Sequence, residues 1–154
     1  ATMQKKKFGK LDFKKFHPAG TLGKKLKKVE DIMLVNNKIP FVDQNKKMDE
    51  VIKFINVKKL GVVIVRNKKS ETLGIFTDGD VKRILQRKDD IKNLEIKMVM
   101  TKEPVSIEKD ELAVKALSIM NEKKITCLCV YKKPNKKKTI GVLHIHNLLE
   151  ANIT

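Results

Sequence analysis

Apolar residues at Met48, Val51, Ile52 and Ile55 follow the i, i+3, i+4, i+7 spacing of a helix with one apolar face. Downstream, GVVIV (61–65) and LGIFT (73–77) are continuous apolar runs flanking the polar RNKKSE (66–71), which predicts a buried hairpin. A short strand beginning Phe41-Val42 after Pro40 precedes that helix, and VKRILQR predicts a second helix over Val81 to Arg87. The second half repeats this order. Leu112, Ala116, Ile119 and Met120 give a helix face with Asp110 as its N-cap, and CLCVY and TIGVLH give a hairpin around a loop from Lys132 to Lys138.

The repetition can be aligned residue by residue. Ile32-Met33 matches Val99-Met100 at an offset of 67, and Ile39-Pro40-Phe41-Val42 matches Glu103-Pro104-Val105-Ser106 at 64. Lys59-Leu60-Gly61 matches Lys124-Ile125-Thr126 at 65, and Leu73-Gly74-Ile75-Phe76 matches Ile140-Gly141-Val142-Leu143 at 67. Small length changes therefore fall in loops. Two copies of a strand-helix-strand-strand-helix unit result, spanning 29–91 and 92–154. A unit of about 60 residues buries too little apolar surface to stand alone, so the two are expected to pack as one α/β (α+β) domain with a pseudo-twofold axis.

Composition narrows the function classes. With 154 residues and 41% hydrophobic content the chain can bury a core, yet no apolar run approaches the ~20 residues of a membrane span. A cytoplasmic protein with no membrane partner is expected. Cys127 and Cys129 sit too close in sequence for an ordinary disulfide, and nothing suggests an oxidising compartment. The net charge of +17 invites a nucleic-acid reading until it is located. Residues 1–28 carry +9 and the Lys132–Lys138 loop +5, leaving +3 for the rest. Only Arg66, Arg83 and Arg87 are arginines, the residue type suited to bidentate recognition of bases. No nucleic-acid partner is expected.

Candidate chemistry concentrates in Gly74-Ile75-Phe76-Thr77-Asp78-Gly79-Asp80. Thr77 follows a strand and precedes a helix, so its hydroxyl and the helix N–H groups would converge on one spot suited to phosphate. Three residues on, Asp80 can accept hydrogen bonds from both hydroxyls of a ribose, and Lys82 and Arg83 stand near enough to neutralise a phosphate. The same pair also reads as a capping box, and both roles remain open. In the second copy His144 and Asn147 stand at these positions, which loses the charge. Cys127, Cys129, His144 and His146 share one hairpin, but ligands one residue apart are unusual for zinc and no metal is expected.

The D-I-M start at Asp31-Ile32-Met33, the x-P-h-h strand start and the G-h-h-T-x-x-D motif at 74–80 resemble a tandem pair of CBS (cystathionine-β-synthase-type) domains. That resemblance implies two sheets meeting at clefts that bind nucleotides and regulate an attached protein. The implied ligand residues are Pro40, Phe41, Gly61, Val62, Thr77, Asp80, Arg83, His144 and Asn147. Upstream, FHPAGTLGKKL (16–26) resembles the junction in arabinose-5-phosphate isomerases, where a sugar-isomerase (SIS) domain is followed by two CBS repeats. Residues 1–28 would then be the end of a SIS domain plus linker, and His17 an acid-base residue of that enzyme. The resemblance implies a regulatory piece without turnover of its own, with no required cofactor and with CMP-Kdo or an adenine nucleotide as effector. Its partners would be its own SIS domain and a second CBS pair, as a homodimer here and a homotetramer in the parent. An independent adenylate sensor and a purely oligomerising scaffold are the other readings.

Overall fold

The computed structural model describes residues 26–58, 60–87 and 90–154. His17 and the proposed isomerase junction lie outside the described residues.

The first copy runs α1 (Val29–Ile32), β1 (Phe41–Asp43), α2 (Met48–Lys58), β2 (Val62–Arg66), β3 (Thr72–Thr77) and α3 (Asp78–Leu85). The second follows as β4 (Thr101–Lys102), β5 (Ser106–Glu108), α4 (Ala113–Lys123), β6 (Cys127–Lys132), β7 (Asn135–His144) and α5 (Ile145–Glu150). In each copy a short strand pairs in parallel with the first strand of a hairpin, giving sheets of order β1-β2-β3-β4 and β5-β6-β7. The helix predicted from Met48, Val51, Ile52 and Ile55 forms, with Met48, Val51 and Ile55 buried.

The two copies exchange their lead-in segments. β4, which opens the second copy, pairs antiparallel with β3 of the first, through Gly74↔Lys102 and Ile75↔Thr101. Reciprocally, Leu34 exchanges both backbone hydrogen bonds with Val142 of β7, at 2.8 and 3.0 Å. Two glycines permit these crossings. A Cβ on Gly74 would lie 2.5 Å from Met100 Sδ and 2.7 Å from the Thr101 carbonyl, and one on Gly141 would strike Met33. Val29 is fully buried among Ile107, Ala116, Met120 and Leu128 of the second copy, while Ile91 and Ile96 are buried with Met48, Val51 and Phe76 of the first. Complete burial of such a side chain stabilises by roughly 1.5–3 kcal/mol. A third cluster, built on Val62, Ile64, Cys127, Cys129 and Val142, joins the two sheets. Near the pseudo-twofold axis the hydroxyls of Thr72 and Thr139, 67 residues apart, meet at 2.5 Å.

Several sequence expectations change in detail. Hydrogen-bond register sets the offset between β1 and β5 at 65: Ile64 N–H donates to Pro40 O and Cys129 N–H to Val105 O. Pro40 therefore corresponds to Val105 rather than to Pro104, because burial of Val42 and Ile107 fixes which residues face inward. Asp110 is not the cap of α4. The Ala113 N–H instead donates to the Lys27 carbonyl at 2.8 Å, so the other copy's lead-in satisfies that helix end. The α3 helix starts at Asp78, not Val81, since Thr77 caps it. Finally, most of the lysine loop is strand, with β7 beginning at Asn135. Its residues 135–138 are exposed, and the register shifts between the Tyr131–Thr139 and Lys132–Asn135 pairs, so Lys136 to Lys138 bulge from the ladder.

Replacing Gly74 with alanine should destabilise the chain by about 1–3 kcal/mol through overpacking. The Met100→Ala change should not restore stability, because the Thr101 carbonyl still blocks the new methyl. Urea titration of the single and double variants measures this, and full rescue by Met100→Ala would contradict the crossing geometry.

Candidate functional site

β3 ends at Thr77 in an extended conformation, which turns its hydroxyl over the first turn of α3. That hydroxyl accepts from Asp80 N–H at 3.3 Å. In return, Asp80 Oδ2 accepts from Thr77 N–H at 2.9 Å and from the Thr77 hydroxyl at 3.1 Å. The capping box left open by the sequence therefore forms. Only 8% of Asp80 is exposed, and its second oxygen, Oδ1, is ion-paired with Arg83. The Arg83 side chain is 73% exposed and so is little constrained by packing.

These residues line a cleft of about 480 Å³. Ile75, Thr77, Asp80 and Arg83 come from the first copy, and Pro104, Val105, Ile125, Thr126 and Cys127 from the second. Lys124, in the left-handed conformation at φ 57° that ends α4, also lines the cleft. Of the residues implied by sequence, the structure brings Thr77, Asp80 and Arg83 together. Pro40, Phe41, Gly61 and Val62 do not line this cleft. Val62 pairs with Thr77 and Gly61 adjoins Asp78 along the β2–β3 ladder, while the second-copy counterparts of Pro40, Gly61 and Val62, namely Val105, Thr126 and Cys127, line the cleft. The second-copy wall was missed, although the repeat alignment held the signal: once lead-in segments cross, the T-x-x-D motif of the first copy faces strand starts of the second. Gly61 has a role of its own. It holds φ 70°, its carbonyl accepts from Asp78 N–H at 2.8 Å, and a Cβ there would lie 2.9 Å from the Asp78 carboxylate.

The second capping box is built from different groups. His144 N–H donates to Asn147 Oδ1 at 2.8 Å, and His144 Nδ1 accepts from His146 N–H at 3.1 Å. The two imidazoles stack with centroids 4.7 Å apart. Burial, and then the neighbouring His146, lower the His144 pKa below its usual value, while Asp78 opposes the shift. Cys127 faces His144 across the β6–β7 ladder. Burial pushes both thiols up, that of Cys129 to about 12 against an opposing hydrogen bond from Thr139. They are neutral packing groups between the sheets. Among the described residues, no group of three or more His, Cys, Asp or Glu side chains is placed to hold a metal. No helix among them is long and apolar enough to cross a membrane.

Two exchanged copies sharing a composite cleft define a class, and the chain belongs to it: the CBS domain family model matches residues 29–87 and 95–153. Among full-length relatives, the arabinose 5-phosphate isomerase KdsD of Francisella tularensis is 37% identical over 154 residues. The same enzyme of Salmonella typhimurium is 34% identical, and in both cases 99% of this chain covers 46% of the relative. The chain thus spans about half the length of these curated relatives. Solved structures share the fold. CBSX2 in complex with AMP aligns at TM-score 0.69 with 19% identity, over 81% of this chain and 95% of that one. The CBS pair of MJ0100, in complex with 5-methylthioadenosine and S-adenosyl-L-methionine, aligns at 0.70 with 17% identity, over 81% and 94%.

The lowered pKa of His144 makes stability depend on pH. Above about pH 6.5, the unfolded value, the imidazole is neutral in both states and the native cap is intact. As pH falls through that value the unfolded chain takes up the proton first, so this contribution is lost towards the lower folded pKa. His144→Thr, which installs the first copy's cap residue, should reduce the fall in melting temperature between pH 7.5 and 5.5. Equal losses in variant and wild type would contradict this assignment.

Proposed function

We propose that this chain is the effector-binding regulatory pair of an arabinose 5-phosphate isomerase and that a nucleotide occupies the Thr77–Asp80 cleft. The observation that carries the reading is the state of Asp80. Its carboxylate is anchored through Oδ2 by the Thr77 N–H and hydroxyl, while among the described residues Oδ1 pairs with a well-exposed Arg83. A ribose diol can take over Oδ1, since a carboxylate accepts two hydrogen bonds in parallel. The released guanidinium then meets the phosphate beside Lys124 and the first turn of α3. Ile75, Val105 and Ile125 supply an apolar slot for the base. Binding would tie the two copies together, because the first copy holds the ribose and the second completes the base slot with Val105 and Ile125.

Similarity to the isomerases over nearly the whole chain supports the regulatory assignment. Adenosine derivatives bound by the solved neighbours favour an adenine nucleotide, and CMP-Kdo, the activated sugar made downstream of arabinose 5-phosphate, is the feedback candidate. The side of His144 and Asn147 should bind nucleotides less well, having no carboxylate at the position of Asp80. Partners in this reading are the isomerase domain and a second CBS pair.

Thermal shift with AMP, ATP, CMP and CMP-Kdo tests the proposal. A ligand at 100 times its Kd adds about 2.7 kcal/mol, which is a rise of several degrees for a chain of this size. Asp80→Ala should abolish the shift. If no ligand raises the melting temperature while Asp80→Ala lowers it, the pair is a scaffold and the nucleotide reading is wrong. The purified chain should not interconvert arabinose 5-phosphate and ribulose 5-phosphate, and measurable turnover would refute its assignment as a purely regulatory part.

A further inference from the structure

Beside the nucleotide cleft lies a second chamber of about 540 Å³, which shares the wall Glu103–Pro104–Val105 with it. Along this wall the second copy carries small residues where the first carries large ones. By strand register Ser106 stands where the first copy has Phe41, and Cys129 where it has Ile64. In the first copy the Phe41 ring packs against the Arg66 guanidinium at 3.9 Å, and Ile64 is fully buried. Side chains as large as Phe41 and Ile64 at Ser106 and Cys129 would narrow this space. An open cleft of this size at the meeting of two sheets is a candidate ligand site.

The lining has a distinct chemistry. Ser106 presents a hydroxyl that can donate and accept, and the Thr72 and Thr139 hydroxyls, bonded to each other, keep accepting lone pairs for the hydroxyls of a polyol. Lys123, Lys136 and Lys137 present ammonium groups against the single carboxylate of Glu103. Lys136 and Lys137 belong to a hairpin that also carries Lys132, Lys133 and Lys138, so positive charge is concentrated at this end of the second sheet. We propose that the chamber binds a small anionic sugar, a monosaccharide bearing a phosphate or carboxylate, with its anion at Lys136 and Lys137 and its hydroxyls towards Ser106, Thr72 and Thr139. The site does not require a nucleotide next door, though a nucleotide-linked sugar acid would span both spaces along the shared wall.

Titration of the whole chain, followed by amide chemical shifts, tests this with arabinose 5-phosphate, inorganic phosphate, AMP and CMP-Kdo as probes. Saturable binding of arabinose 5-phosphate or CMP-Kdo is expected, with shifts at Ser106, Lys136 and Thr139. The Lys136→Ser/Lys137→Ser double variant, on an exposed hairpin, should weaken it at least about tenfold, as loss of charge-assisted contacts does. The Ser106→Phe/Cys129→Ile variant, which restores the first copy's filling, should abolish it while AMP binding persists. Dependence on the lysines alone identifies a free sugar as the occupant, and dependence on both the lysines and Asp80 identifies a nucleotide-linked one. Absence of saturable binding by either sugar, phosphate binding as tightly as the sugars, or indifference to both variants would each overturn the proposal. Failure of AMP alone would sink the nucleotide cleft and leave this site standing.

Discussion

The crossing of each copy's lead-in segment over the other copy's sheet is the contact on which the rest of the molecule depends. At Gly74 the backbone of β4 lies so close that no side chain fits, and at Gly141 Met33 does the same from the opposite side. Through these crossings Val29 completes the second core and Ile96 the first. They also end the helices. The lead-in carbonyls of Lys27 and Leu94 accept from the N-terminal N–H groups of α4 and α2, at 2.8 and 2.9 Å. Neither copy closes its own core or caps its own first helix.

Exchange of this kind makes the cleft a joint product. Thr77 and Asp80 are fixed to each other by a local capping box, yet the wall opposite them belongs to the other copy. The pseudo-symmetry is then broken by side chains rather than by backbone. His144 and Asn147 keep the capping geometry of Thr77 and Asp80 while giving up the carboxylate, and Ser106 and Cys129 keep the strand register of Phe41 and Ile64 while giving up their volume. One backbone plan thus carries two chemically different faces, one with an anchored carboxylate and one with stacked imidazoles.

Much of this was legible in the sequence. The repeat, the order of elements and both hairpins follow from apolar patterning, because burial at the meeting of two sheets leaves continuous apolar runs in β2 and β6. The pairing of Ile32-Met33 with Val99-Met100, and of Gly74 with Gly141, selected the residues that meet at the crossings. What stayed hidden depends on which copy a segment packs against. Pattern alone does not say that Val29 is buried under α4, so Asp110 looked like a cap that the Lys27 carbonyl made unnecessary. The alignment of Pro40 with Pro104 was off by one, since proline marks a strand's start while the buried pair Val42 and Ile107 sets its register. The Thr77–Asp80 cleft likewise draws its opposite wall, Val105, Thr126 and Cys127, from the second copy, where the register counterparts of Pro40, Gly61 and Val62 stand.

The composite cleft is tested most directly by a crystal structure of the chain grown with AMP. The account requires the ribose on Asp80 of the first copy and the base against Val105 and Ile125 of the second. A nucleotide held by one copy alone, or seated between Gly61 and Asn147 with the Asp80 cleft empty, would contradict it.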